Sequence, residues 1–302
     1  MSAADETGDD AAAGADDGRK RGDPRAHGIE KLPQGQFNRI THVIAVMSGK
    51  GGVGKSSVTA LLATSLSRAG YSVGVLDADV TGPSIPKMFG MKRHANSFEF
   101  GLLPVRSEIL KIPVMSINLL LPGEDDPVIW RGPIIANVVK QFWTDVIWGD
   151  LDFLLVDLPP GTGDAPLTVM QSLPLDGIVI VSSPQDLAVM VVKKAIKMAK
   201  LMKTHIFGLI ENMSYATCPK CGEKLEVFGS SKGQAVAEAT DIPLLATLPL
   251  DPQLSALCDA GRVEDYDTAH LAGAVDFIVK LTDHVGHLRA KEEGAAEAAK
   301  AQ

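Results

Sequence analysis

The stretch Gly49-Lys50-Gly51-Gly52-Val53-Gly54-Lys55-Ser56 carries two lysines. It fits the phosphate-cradling pattern G-x-x-x-x-G-K-[ST], which Lys55 completes without help from Lys50. The glycines free the backbone to turn its N–H groups inward, and a following helix N-terminus adds positive potential. In that arrangement Lys55 reaches the β- and γ-phosphates and the Ser56 hydroxyl holds Mg²⁺. Lys50 has no task in the simple pattern, and a loop folded closely around phosphates leaves little room for an idle cation.

Three aspartates stand where they could serve the same ligand. Asp77 and Asp79 end the run "YSVGVLDAD", and Asp157 ends "LDFLLVD". Ligands of open parallel sheets sit beyond the carboxyl ends of the strands. Asp157 is therefore expected to orient metal-bound water, and Asp79 to position or deprotonate the attacking water.

A second chemistry is written in Cys218-Pro219-Lys220-Cys221-Gly222. Taken alone, C-x-x-C suits a zinc ribbon, a redox dithiol or a cluster ligand. Zinc and a [4Fe–4S] cube each want four ligands, and this pair supplies two. The remaining cysteine, Cys258, shares a face with Leu254 and Leu257 and reads as a buried core thiol.

Strands and helices alternate around these residues. "HVIAVMSG" runs into the glycine loop, and Val58, Leu61, Leu62, Ser65, Leu66 and Ala69 then keep helical spacing up to Gly70. "YSVGVLDAD", "LDFLLVDLPPG", "GIVIVSSP", "IFGLIENM" and "LLATLPL" read as further strands. Pro184 is expected to open a helix with Leu187, Met190, Val191, Ala195 and Met198 on one face and several lysines off it. "SFEFGLLPVRSEILKI" breaks the alternation and reads as a hairpin insertion. The expected fold is α/β: a doubly wound, mostly parallel sheet with helices on both faces. The expected domains are an acidic disordered tail over 1–26, an ATPase domain with a C-x-x-C insertion over 27–283, and a polar tail over 284–302.

Composition narrows the function classes. The chain has 302 residues, 45% of them hydrophobic, and a formal net charge of −8, which argues against nucleic-acid binding through overall charge. No apolar run approaches the ~20 residues of a membrane span. No signal peptide is apparent, and three cysteines make a poor disulfide framework, so the cytoplasm is the expected compartment.

"GKGGVGKSS", "DADVTGPSIPKMFG", "WRGP", "VDLPPGTGD", "VSSPQDLA", "ENMSY" and "CPKCG" occur in an order that resembles the Mrp/ApbC-type iron–sulfur cluster carrier ATPases, over about residues 40–262. These are P-loop NTPases of the deviant-Walker class, which includes MinD and ParA. The resemblance implies that Lys50 reaches across a two-fold axis to the nucleotide of the other subunit, supplying charge as an arginine finger does. It implies that "DADVTGPS" and "DLPPGTGD" sense the γ-phosphate and that Asn212 recognises adenine. The nucleotide set is then Gly49, Lys50, Gly51, Gly52, Val53, Gly54, Lys55, Ser56, Ser57 and Asn212, with Lys50, Lys55, Asp79 and Asp157 catalytic. A homodimer would also unite Cys218 and Cys221 from two chains into four ligands for a [4Fe–4S] cluster. The implied function is a cytoplasmic ATPase that takes ATP and Mg²⁺ and delivers the cluster to apo iron–sulfur proteins, with cluster scaffold proteins as further partners and neither nucleic acid nor membrane. The N-terminal four-cysteine cluster of the eukaryotic branch has no counterpart here. A MinD- or ParA-like positioning ATPase, or an ATPase with structural zinc, are the alternatives; neither positioning protein explains C-P-K-C-G.

Overall fold

The computed structural model describes residues 34–80, 82–121, 132–185 and 188–285. The first strand, β1 (Arg39–Ser48), is apolar on both sides and buried from Ile40 onward except at Thr41. It leads through the glycine loop into α1 (Lys55–Arg68) and β2 (Val73–Asp77). A short α2 (Ile85–Met88) precedes the hairpin of β3 (Asn96–Phe98) and β4 (Gly101–Leu103), then β5 (Val105–Arg106) and β6 (Pro113–Ser116). The helices α3 (Gly132–Thr144), α4 (Asp164–Ser172) and α5 (Ala188–Leu201) alternate with β7 (Asp150–Asp157) and β8 (Gly177–Ser182). The chain continues through β9 (His205–Thr217), β10 (Lys224–Leu225), α6 (Gly233–Thr240), β11 (Leu244–Pro249) and α7 (Pro252–Asp259), and α8 covers 272–285.

Among the described residues, nine strands form one sheet in the order β10-β9-β8-β1-β7-β2-β6-β5, with β11 also paired to β9. The inner pairs are parallel, and β10 and β5 are antiparallel additions at the two ends. The doubly wound α/β expectation holds. On β1, Val43, Ala45 and Met47 enter one core with α3, α4 and α5, while Ile44 and Val46 enter the other with α1, α2 and α8. Alternation of side chains across the strand is what lets one apolar run serve two helical layers.

Some local expectations change. The hairpin Asn96–Leu103 exists, but "PVMS" within the following stretch joins the parallel sheet beside β2 as β6. Helix α5 is described from Ala188, Pro184 itself lies in a turn, and Met190 is 53% exposed. Its buried side is built by Val192, Ala195, Ile196, Met198 and Ala199, and Lys193, Lys194, Lys197 and Lys200 are exposed. Leu187 and the expected tail over 1–26 lie outside the described residues; of 284–302, only 284 and 285, both in α8, are described. Among the described residues, no helix is long and apolar enough to cross a membrane.

Candidate functional site

The sheet register brings the expected residues to one edge. Asp77 and Asp157 are direct neighbours across β2 and β7, and Val46 of β1 pairs with Asp157. The glycine loop leaves β1 at this edge, with Gly52 and Gly54 at positive φ (81° and 77°). Val53 turns inward and is 1% exposed, which fastens the loop to the core.

Lys55 and Asp157 form a buried ion pair, Nζ to Oδ2 2.7 Å. The same carboxylate accepts from Ser56 Oγ (2.5 Å) and, through Oδ1, from Thr59 Oγ1 (2.7 Å). Three donors converging on one buried carboxylate offset the cost of taking it out of water. Thr59 was not among the expected site residues; its position one turn after Lys55 is the signal that could have found it.

Asp77 is fully buried and its carboxyl is pushed up to about 8, chiefly by desolvation, then by the charge of Asp157, against the opposing pull of Lys55. It accepts from the Asp79 and Ile85 backbone N–H groups and the Ser116 hydroxyl. A carboxyl that retains its proton near neutrality adds no further buried charge beside the Lys55–Asp157 ion pair. Asp79 is 8% exposed at the head of the 78–84 segment, whereas Lys50 is exposed on the loop. The Lys50 carbonyl accepts from Ser48 Oγ at 2.9 Å. Gly161 donates to the Ser48 carbonyl at 3.0 Å, so the segment after β7 is tied to the strand that launches the loop.

Asn212 sits against the loop. Its Nδ2 donates to the Val53 carbonyl at 2.9 Å, and a Cβ on Gly54 would lie 2.3 Å from that nitrogen. Asn212 also lines a small recess with Leu61, Leu248, Leu254 and Tyr266. The neighbouring Glu211, 2% exposed, accepts from Ser214 Oγ, Ser231 Oγ and the Lys232 N–H. It fastens the segment that returns from the cysteine pair back to β9. Glu211 was not singled out from sequence, although it stands beside Asn212 in "ENMSY".

Cys218 and Cys221 occupy the tip of the β9–β10 hairpin, half-buried and exposed respectively. The Cys218 N–H donates to the Glu223 carbonyl, and the Gly222 N–H to the Cys218 carbonyl, closing a tight knuckle with Gly222 at φ 77°. The N–H groups of Lys220 and Cys221 reach the Cys218 sulfur and hold its thiol below the ordinary value. Gly222 thus shapes the turn, and other residues supply the amides to sulfur. Among the described residues, no group of three or more histidine, cysteine or acidic side chains could hold a metal ion. Cys258 is half-buried, not fully buried as expected, and hydrogen-bonds Ser57, the residue after the phosphate-loop serine.

Oxygen donors suit Mg²⁺, and Ser56 beside Asp157 supplies a hydroxyl and a carboxylate. The residues fit the ion: Ser56 would hold it directly and Asp157 through its water. A parallel sheet with this loop between β1 and α1 defines a P-loop NTPase. The chain belongs to the NUBPL iron-transfer P-loop NTPases, a ParA-type family whose model matches residues 39–282. It is 46% identical to the iron-sulfur cluster carrier protein of Clostridium perfringens, over 76% of this chain and 83% of that one. It is 44% identical to the cytosolic Fe-S cluster assembly factor NUBP2 homolog of Culex quinquefasciatus, over 75% and 90%. Among solved structures, the nucleotide-binding protein of Archaeoglobus fulgidus in complex with ADP superposes with a TM-score of 0.69 at 50% identity, covering 76% of this chain and 89% of that one. The MinD cell division protein of Aquifex aeolicus shares the fold at 19% identity, with a TM-score of 0.57 and coverage of 79% and 97%.

Proposed function

We propose that this protein is an ATP-binding and ATP-hydrolysing carrier that holds a [4Fe–4S] cluster between two copies of the chain and hands it to apoproteins. The observation that carries the reading is the knuckle: two thiols at an accessible hairpin tip, one of them lowered by backbone amides that would also support a thiolate on iron. A cube wants four thiolates. Cys258, on α7, is engaged with Ser57 of α1, so a second copy is the natural source of the other two. At the nucleotide site, Mg²⁺ would neutralise developing phosphate charge. Lys55 would leave Asp157 for the phosphates, Ser56 would hold the ion, Asp79 would position the attacking water, and Lys50 would act on the partner's nucleotide.

Anaerobic reconstitution with iron and sulfide tests this. About four irons and four labile sulfides should accompany each dimer, with broad visible thiolate-to-iron absorption. Cys218→Ala and Cys221→Ala should each lose the cluster, since one change removes two ligands from a symmetric site. Cys258→Ala should keep it. Stoichiometric zinc with resistance to reconstitution, or cluster loss in Cys258→Ala, would overturn the reading.

A further inference from the structure

We infer that the cleft between the segment after α2, β5 and the turn after α7 is a docking site for an acidic polypeptide segment of a partner protein. The cleft encloses about 900 Å³, and exposed Lys92, Arg93, Arg106, Lys111 and Arg262 line it against Glu108. On a chain of net charge −8, five cations around one concavity concentrate a field of the opposite sign. The site lies apart from both the glycine loop and the cysteine knuckle, and it does not rest on the cluster reading.

The walls are fixed. Buried Glu264 accepts from Ser107 Oγ (2.6 Å), the Leu110 N–H (2.9 Å) and the Ile109 N–H (3.1 Å), so the loop after β5 is pinned to the turn after α7. At the floor the backbones of Gly90 and Gly261 nearly touch: a Cβ on Gly261 would lie 2.4 Å from the Gly90 Cα, and one on Gly90 2.6 Å from the Gly261 carbonyl oxygen. Both glycines have positive φ, 66° and 71°. A site whose two sides are locked together loses little entropy on binding.

Two of the five cations are positioned by neutral groups. Arg106 donates to the Lys111 carbonyl (3.1 Å) and Lys111 to the Glu108 carbonyl (2.7 Å), while Arg262 shares Asp265 at 2.6 Å. Guanidinium forks match carboxylates in bidentate fashion. Leu103, 39% exposed, and Pro104 lie among them, so the surface suits acidic residues interspersed with apolar ones. The chain's net charge of −8 disfavours nucleic acid, whose polyphosphate would run beyond any single cleft.

The test uses the full chain and a fluorescein-labelled peptide of repeating Asp-Glu-Leu, read by anisotropy at low and moderate salt. The wild type should bind it with salt-sensitive affinity, and Arg93→Glu/Lys111→Glu should weaken it by at least about tenfold. Thermal unfolding verifies that the variant folds, and the milder Arg106→Gln, expected to weaken binding several-fold, gives a second reading if it does not. The proposal is overturned if the wild type does not bind the peptide or if the folded variants bind it equally well. Tighter binding of tripolyphosphate or of an oligothymidylate than of the peptide also overturns it.

Discussion

Lys55 Nζ lies 2.7 Å from Asp157 Oδ2, and the two side chains are 5% and 0% exposed. The lysine expected to meet phosphate is thus neutralised by a carboxylate on the neighbouring strand, which also holds the Ser56 hydroxyl. On the proposed reading, nucleotide binding would exchange one anion for another at Lys55, and the nucleotide-free loop carries no naked buried cation.

Lys55→Ala should therefore damage stability as well as nucleotide binding. Removing one partner of a buried pair costs about 3–5 kcal/mol, and Ser56 and Thr59, which remain on Asp157, favour the lower end. Adding Asp157→Asn should restore most of that loss without restoring turnover. Urea unfolding of nucleotide-free protein checks this; an unchanged midpoint in Lys55→Ala would show that the pair does not form in solution.

The Asp77 carboxyl gives a pH signature. Its folded value of about 8 stands above the ordinary carboxyl value of 3.8, so between these limits the folded state holds a proton that the unfolded chain has released. Stability from this group is present at low pH and falls as pH rises toward 8. Asp77→Asn keeps a neutral side chain at every pH. The stability difference between wild type and variant, from denaturant midpoints at pH 5 to about 9, should turn against the wild type with rising pH. A flat difference would mean that Asp77 is ionised throughout.

Gly54 and Asn212 should be energetically coupled. An alanine at 54 must adopt φ 77°, at a cost of about 1–2 kcal/mol, and its Cβ would meet Asn212 Nδ2 at 2.3 Å. Shortening Asn212 to alanine removes the clash but not the backbone strain. Gly54→Ala should thus cost less in an Asn212→Ala background than in the wild type, as a double-mutant cycle on unfolding free energies would show. Strict additivity would separate Asn212 from the loop.

How much of this was legible in the sequence follows from how local each feature is. The glycine loop, its flanking strand and α1 are contiguous, so spacing alone located them, and the long apolar strands announced a sheet buried on both faces. The four-residue "PVMS" strand was hidden because it begins with proline and is too short to show a period. Helical spacing puts Met190 on one face with Ala195 and Met198; the helix instead turns Val192 and Ile196 inward and leaves Met190 exposed. The pairing of Lys55 with Asp157 and the elevated Asp77 depend on strand order, which places β7 between β1 and β2. No sequence spacing encodes that neighbourhood.

Lys50 is exposed on the loop, a position from which action across a dimer can be tested by complementation. A Lys50→Ala subunit should lose hydrolysis more than nucleotide affinity. In mixed dimers with an Asp79→Ala subunit, the Lys50→Ala site retains its own Asp79 and can borrow the partner's lysine, so one site per dimer should recover. Absence of recovery in verified mixed dimers would count against action in trans.

The two kinds of cysteine should separate by reactivity. Backbone N–H groups of Lys220 and Cys221 hold the Cys218 thiol below its ordinary value, whereas burial, then the charge of Asp259, push Cys258 up against the opposing bond with Ser57. The thiolate is the nucleophile, so in reduced, cluster-free protein iodoacetamide should modify Cys218 well before Cys258 at neutral pH. Lowering of Cys218 also means that its rate climbs at a lower pH than that of an unperturbed thiol, while the rate of Cys258 climbs at a higher one. Lys220→Ala tests the cause: the backbone N–H survives the substitution, so the Cys218 profile should stay in place, whereas a profile set by the ammonium charge would move upward. Peptide mass spectrometry across a pH series reads each site separately. Equal rates at Cys218 and Cys258, or a profile displaced by Lys220→Ala, would show that the knuckle amides do not prepare this sulfur for metal.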